Sequence, residues 1–132
     1  MLKKTIKYTD YNGVEREEDF YFHLTKADIA KMEMGVKGGL AQMIRNIVNA
    51  KDQPAIIAVF EDLIQKSYGV KTPDGRGFDK DPKHLKEFMM TEAYSQLFME
   101  LGTDDEAAAK FINGIIPADM AKELAAATAN NI

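Results

Sequence analysis

The segment 82–101 constrains the fold most, because apolar side chains cover most of its sides if it is helical. Asp81-Pro82 at its start resembles an N-cap followed by a proline in the first turn, and Gly102 marks its end. At 100° per residue, the apolar positions spread over roughly 220° of the helix circumference. They are Leu85, Met89, Met90, Ala93, Tyr94, Leu97, Phe98 and Leu101. We therefore predict one helix over 82–101 that is either central in its own domain or shared with a partner.

A second, smaller apolar stripe lies on the other side of this predicted helix. It consists of Phe88 and Met99, which are eleven residues apart. Methionine and aromatic side chains are enriched at protein interfaces, and methionine adapts to partners of varied shape. We therefore predict that Phe88 and Met99, with their neighbours Met89 and Phe98, bind a partner protein. The alternative is that the stripe packs inside the molecule, against an N-terminal hairpin.

Residues 2–24 have the pattern of that β-hairpin. Asp10-Tyr11-Asn12-Gly13 is a turn sequence, and Asn-Gly is the strongest short signal for a hairpin. On the return strand, Phe20, Phe22 and Leu24 alternate with polar neighbours. A two-stranded hairpin is marginally stable in water by itself. Its apolar face must therefore lie on helices or pair with another sheet.

The rest of the chain predicts a mainly helical part at 25–127 and a frayed tail at 128–132. Thr25 and Asp28 form a capping-box pattern for a first helix at 26–34. The other predicted helices run from Val36 to Val48, from Pro54 to a glycine cap at Gly69, from the capping box Thr103-Asp104-Asp105-Glu106 to Gly114, and onward from Pro117.

Residues 69–81 interrupt these helices. Pro73-Asp74-Gly75 is a turn sequence, so we predict a hairpin-like excursion with an exposed tip. The predicted fold class is α+β: an N-terminal β-hairpin followed by a mainly helical domain of about six helical segments. The whole chain, 1–132, forms a single domain in this prediction.

The composition limits the classes of function. The 132 residues have a net charge of −4, which gives no broad attraction to nucleic acid or anionic lipid. There is no cysteine, which excludes disulfides, thiolate metal sites and a cysteine nucleophile. The first residues lack the apolar core of a signal peptide, and no window is apolar enough for a membrane span. We predict a soluble protein that is not exported and whose partners are neither nucleic acid nor membrane.

No group of side chains has the spacing of a catalytic, metal or cofactor site. His23 lies at a predicted strand end and His84 in a first helical turn, and nothing in the sequence connects them. His23 with Asp19 gives two metal ligands, which are too few for a structural site. The glycines around Lys37 lack the spacing of a phosphate-binding loop. We therefore predict that the chain is not an enzyme, has no cofactor or metal, and works by binding other proteins.

The run Glu15-Arg16-Glu17-Glu18-Asp19 has two interpretations. On an exposed strand, charged side chains prevent sheets from joining edge to edge. The alternative is a contact surface for a basic partner.

The stretch 89–117 resembles a known family. The run Thr91-Glu92-Ala93-Tyr94 leads to Phe98-Met99-Glu100-Leu101, and Phe111-Ile112-Asn113-Gly114-Ile115-Ile116-Pro117 closes the stretch. With Tyr68-Gly69-Val70 and the Asp/Gly turn before Phe78, these residues resemble the tail assembly chaperones of long, non-contractile-tailed phages and prophages of Gram-positive hosts. A hairpin followed by helices fits the same family.

The resemblance implies a function that the residue patterns alone do not show. Proteins of this family are expected to bind the tape measure protein and keep it soluble until tail tube subunits polymerise around it. They act in the cytoplasm of the host cell and are absent from the mature virion. The tail tube protein is a further candidate partner. Many members are made in two lengths through a ribosomal frameshift, in which case this chain is the shorter form.

Coating a long client also favours self-association of the chaperone, since head-to-tail contacts form rings or open helices.

Two other functions remain open from the residues. The chain could be a structural tail or head–tail connector subunit, which would be found in purified virions. It could also be a small adaptor protein of the host, which the gene context would reveal.

Overall fold

The computed structural model describes residues 1–35 and 53–117 of the chain. In these residues, four strands form one sheet in which each strand pairs with the next one along the chain, and five α-helices accompany them. The fold class is α+β with an N-terminal hairpin followed by helices, as predicted. The predicted helix at 36–48, the predicted helix after Pro117 and the tail at 128–132 lie outside the described residues.

The N-terminal element is the predicted hairpin. Strands β1 (Leu2–Thr9) and β2 (Glu15–Phe22) pair antiparallel along their whole length. In the turn, the carboxylate of Asp10 accepts two backbone N–H groups, at 2.9 and 3.0 Å. Gly13 has a φ of +79°, which glycine adopts without steric cost. The sequence prediction of the hairpin is confirmed.

Two short strands extend the sheet. Strands β3 (Tyr68–Lys71) and β4 (Phe78–Asp79) pair antiparallel and form the predicted hairpin-like excursion, with an exposed tip between them. Strand β3 also pairs with β2, but only at Tyr21 and Phe22. The apolar face of the N-terminal hairpin lies on helices, which is the first of the two predicted alternatives, while β3 extends the same sheet at its edge.

The helices of the described ranges are α1 (Lys26–Gly35), α2 (Gln53–Ser67), α3 (Pro82–Met89), α4 (Glu92–Thr103) and α5 (Asp105–Ile115). The predicted capping box of α1 is formed, because Thr25 and Asp28 each accept the backbone N–H of the other, at 3.0 and 2.9 Å. Asp81 caps α3 by accepting the N–H of Lys83 at 2.9 Å. These local signals placed both helix starts correctly.

The prediction of one helix over 82–101 was wrong, because Thr91 separates α3 from α4. The backbone of Thr91 is extended, with φ −95° and ψ 156°. Its hydroxyl and its N–H both donate to the carbonyl of Phe88, at 2.6 and 3.0 Å. A threonine side chain that bonds to nearby backbone offers the chain an alternative to helical hydrogen bonds. The apolar periodicity does not reveal this break, since it depends only on which side chains are apolar.

The glycines mark boundaries less well than predicted. Gly69 lies in β3 and does not cap α2, while Gly102 and Gly114 lie inside α4 and α5. Helix α2 ends instead at the buried Ser67, whose hydroxyl donates to a carbonyl one turn earlier at 2.6 Å. The carbonyl of Ser67 accepts the N–H of His23 at 2.8 Å, which joins the end of the helix to the sheet.

The core lies between the inner face of the sheet and the helices. Helix α4 is central, because it contacts β1, α2, α3 and α5. A central position in its own domain is one of the two alternatives predicted for the segment 82–101, the other being a helix shared with a partner. The largest fully buried apolar side chains are Phe22, Leu24, Ile29, Leu63, Ile64, Leu97, Phe111 and Ile115.

The cap of α5 is Asp104 rather than the predicted Thr103. The carboxylate of Asp104 accepts the N–H groups of Glu106 and Ala107 at 3.0 and 3.2 Å, whereas the hydroxyl of Thr103 donates to the carbonyl of Met99 at 2.6 Å. We expect Asp104→Ala to lower the free energy of unfolding by about 1 kcal/mol. We expect Thr103→Ala to change it by less than roughly 0.5 kcal/mol. Chemical denaturation measures both variants, and the reverse ranking would show that Thr103 is the cap.

Candidate protein-binding surface

Phe88, the first of the predicted partner-binding residues, lies in an aromatic cluster in the core. Its ring stacks on that of Tyr68 with the centroids 4.4 Å apart, and it lies 4.9 Å from the ring of Phe20. The ring of Tyr94 meets it edge-on at 5.6 Å. Only 2% of Phe88 is exposed. Since Phe20 belongs to β2, Phe88 makes the packing against the hairpin that the sequence left open as the alternative.

The other three predicted residues lie nearer the surface. Met89 is 38% exposed and Met99 is 56% exposed. Phe98 is half-buried against the core, with its ring 6.2 Å from that of Tyr94. Phe88 and Met99 do not form one exposed stripe, because the helix that would align them is broken between them.

Met90 is exposed, although it is not among the predicted partner-binding residues. It is one of the two residues between α3 and α4, and 58% of it is exposed. Together with Met89 it places two adjacent methionines at the surface. The sequence signal for the helix break beside Met90 is Thr91-Glu92, since a threonine followed by an acidic first turn is typical of a helix start. Flexible methionine side chains suit a surface that must fit varied apolar contacts.

Met99 lies in a groove between β1 and α4. The floor of the groove is apolar, with Ile6 from the strand and Leu97 from the helix, both buried. Lys7 and Glu100 are among the polar residues that line it. This groove follows one side of β1 and is open to contact from outside.

The charged side chains of the hairpin are sorted by strand. Strand β1 carries three lysines and no acidic residue, and β2 carries four acidic residues and one arginine. They are Lys3, Lys4 and Lys7 on β1, and Glu15, Arg16, Glu17, Glu18 and Asp19 on β2. Lys7 and Glu17 are opposite each other, with 3.8 Å between Nζ and Oε2, and both side chains are well exposed. Such an exposed pair contributes little to stability and leaves both charges available.

The hairpin also contains a hydrogen bond between Tyr8 and Glu18. The tyrosine hydroxyl donates to the carboxylate. This hydrogen bond, the burial of the ring and the negative charge of Glu18 together raise the pKa of Tyr8 to about 12. Tyr8 therefore keeps the proton of this hydrogen bond at pH values where an ordinary tyrosine would already ionise.

The two histidines lie in separate surroundings. His84 Nε2 lies 3.0 Å from Asp79 Oδ2. The Nδ1 atom of His23 is buried without a hydrogen-bond partner, and burial lowers the pKa of this imidazole. Asp19 accepts the hydroxyl of Thr5 at 2.6 Å. Across residues 1–35 and 53–117, no group of three or more histidine or acidic side chains is placed to hold a metal ion.

None of the helices within the described ranges is both long enough and apolar enough to cross a membrane.

The comparison with known proteins identifies the family. A family model described as phage tail assembly chaperone matches residues 1–131. No curated protein and no solved structure matches the chain. The match includes the stretch 89–117, in which the sequence resemblance is sharpest, together with the hairpin and all the helices described above. The chain therefore belongs to the phage tail assembly chaperone family.

Proposed function

We propose that this chaperone binds the tape measure protein of its phage and keeps it soluble while the tail is assembled. The observation that carries the proposal is the family match over residues 1–131. A tape measure protein is long and helical, and its apolar helix faces are exposed until the tail tube surrounds it. A chaperone for such a client needs many weak apolar contacts and no reaction chemistry. We therefore propose a binding protein, not an enzyme, that acts in the host cell cytoplasm and does not remain in the virion.

The two methionines at the C-terminal end of α3 support client binding at this place. Met89 and Met90 are adjacent and are 38% and 58% exposed. Exposed methionines give an apolar surface that can repack against different side chains, which suits a client with many similar but unequal sites. Phe88, the residue before them in the sequence, packs on Tyr68 in the core and so anchors this end of α3 to the rest of the molecule. We propose Met89 and Met90 as the first contact with the client.

Two further interactions belong to the proposal. Self-association of the chaperone along the client would cover a long helix with few contacts per copy. The tail tube protein is the second candidate partner, since it must replace the chaperone on the client. We propose neither nucleic acid nor membrane as a partner, because the net charge of −4 gives no general attraction to either.

Co-expression with the tape measure protein encoded nearby tests the proposed function. We expect the soluble fraction of the tape measure protein to rise and the two proteins to co-purify. The double variant Met89→Ser/Met90→Ser should lose most of this effect. The matched control Val14→Ser/Ile57→Ser removes exposed apolar groups elsewhere on the surface and should retain it.

Two results would contradict the proposal. One is a tape measure protein that precipitates equally with and without the chaperone. The other is the presence of this chain in purified virions at a fixed ratio to the tail tube protein, which would identify a structural subunit. Equal loss of client solubility in both double variants would contradict the placement of the contact at Met89 and Met90.

A further inference from the structure

The hairpin has two strand edges without a partner strand in the described residues. Strand β1 is first in the sheet order and pairs only with β2. Strand β2 pairs with β3 at Tyr21 and Phe22, so the outer edge of residues 15–20 is also unpaired. An unpaired strand edge presents a row of N–H and C=O groups that can bind another strand.

These two edges carry opposite charge. Along β1 the charged residues are all lysines, and along 15–20 four of the five charged residues are acidic. Side chains on the outer face of the hairpin include Lys3 and Lys7 from β1, with Glu15 and Glu17 from β2, and all are exposed. Each edge is thus complementary to the other edge of a second copy.

We infer that β1 of one copy adds to the 15–20 edge of a second copy and continues the sheet from one molecule to the next. Pairing of two β1 strands about a two-fold axis would bring Lys3 and Lys7 of the two copies together, and like charges opposite each other on a sheet are destabilising. Pairing of two 15–20 edges would do the same with acidic residues. The charges therefore favour pairing of the β1 edge of one copy with the 15–20 edge of another.

Contacts between unlike surfaces leave one free edge of each kind at the ends of the assembly. The pairing therefore repeats and forms a ring or an open helix, depending on the rotation between copies. The inference rests on the self-association in the proposed function, and it does not depend on client binding. The groove lined by β1 and α4 offers an apolar contact next to this edge, because the exposed Met99 lines it together with Thr5 and Lys7.

Because the chain has no cysteine, single cysteines can test the pairing selectively. Thr5→Cys places a thiol on the outer face of β1, and Glu17→Cys places one in the middle of the 15–20 edge. A short bis-maleimide cross-linker joins thiols on adjacent strands even if the register is shifted by two residues. Circular dichroism and thermal melting establish that each variant is folded.

We expect an equimolar mixture of Thr5→Cys and Glu17→Cys to form cross-linked dimers at tens of micromolar, and either variant alone to form none above background. Arg76→Cys, at the exposed tip of the excursion, sets the background. Addition of Lys3→Glu and Lys7→Glu to the Thr5→Cys chain should abolish the cross-link. The matched control Lys83→Glu/Lys86→Glu makes the same change in net charge on α3 and should retain it.

Three outcomes would overturn the inference. Cross-linking of Thr5→Cys with itself as strongly as in the mixture would show a two-fold β1 contact. A mixture that cross-links no more than Arg76→Cys would exclude these edges, even if light scattering shows assembly through another surface. Equal loss of cross-linking in both charge variants would show that net charge, and not the β1 edge, controls association. The experiment contains no tape measure protein, so its failure is distinct from failure of the proposed function.

Discussion

Phe88→Ala is expected to lower the free energy of unfolding by about 3–5 kcal/mol. The ring is 2% exposed and contacts four aromatic neighbours, at centroid distances of 4.4 to 5.9 Å. Removal of a large buried ring loses its transfer free energy and leaves a cavity that the surroundings fill only in part. A domain of this size has a total stability of about 5–15 kcal/mol, so the variant should melt at a much lower temperature. Urea denaturation followed by circular dichroism gives the difference directly.

Met99→Ser is the matched control for Phe88→Ala. Met99 was predicted from the same apolar stripe, but it is 56% exposed. We expect this substitution to change the free energy of unfolding by less than roughly 0.5 kcal/mol. If Phe88→Ala leaves stability unchanged and weakens protein binding, Phe88 is an interface residue and its placement in the core is incorrect.

Gly69→Ala should lower the free energy of unfolding by about 1–3 kcal/mol. A Cβ atom on this residue would lie 2.7 Å from Cε2 of Phe78 and 3.0 Å from the carbonyl oxygen of Asp79. The ring could move only by leaving its contact with β3, and the carbonyl belongs to the strand paired with β3. The glycine is therefore required for the close approach of two strands, not for an unusual backbone conformation.

Gly102→Ala separates this effect from the general cost of removing a glycine. Gly102 lies in α4, and a Cβ atom there would meet nothing within 4 Å. Alanine restricts the unfolded chain and favours helix, so we expect stability to rise by up to about 1 kcal/mol. Thermal melting of Gly69→Ala and Gly102→Ala measures both changes in stability. A loss of stability in Gly102→Ala, or none in Gly69→Ala, would contradict the packing described for these two positions.

Sequence reasoning succeeded where a signal is local. The turn at Asp10–Gly13, the capping box of Thr25 and Asp28, and the start of α3 at Asp81 each involve residues within a few positions of one another. The partners of their hydrogen bonds lie within four residues of each other, so these signals can be recognised without knowledge of the rest of the fold. The hairpin, the excursion at 69–81 and the α+β class followed from such signals.

The failures concern contacts between residues that are distant in sequence. The sequence predicts a helix cap at Gly69 because the turn signal of the excursion does not show how closely β3 and β4 approach each other, and the contact of Gly69 with Phe78 depends on that approach. Phe88 and Met99 appeared equivalent because both lie on one side of an unbroken helix, and a single hydroxyl at Thr91 separates their surroundings. Phe88 is buried and Met99 is exposed because different elements pack on α3 and α4. The period of apolar residues along a helix does not indicate which elements pack on it.

The burial of Phe22 has a consequence for how the protein forms during synthesis. Its ring packs against Tyr68, Phe88 and Phe111 and is fully buried. The hairpin therefore leaves the ribosome long before the residues that bury Phe22 have been synthesised. At about 5–20 residues per second, roughly 4–18 s separate the synthesis of residue 22 from that of residue 111. During that interval, β2 exposes an aromatic face that can associate non-specifically with neighbouring chains. The core around Phe22 therefore cannot close until synthesis has passed Phe111, and a nascent chain halted before that residue should aggregate unless another protein shields it.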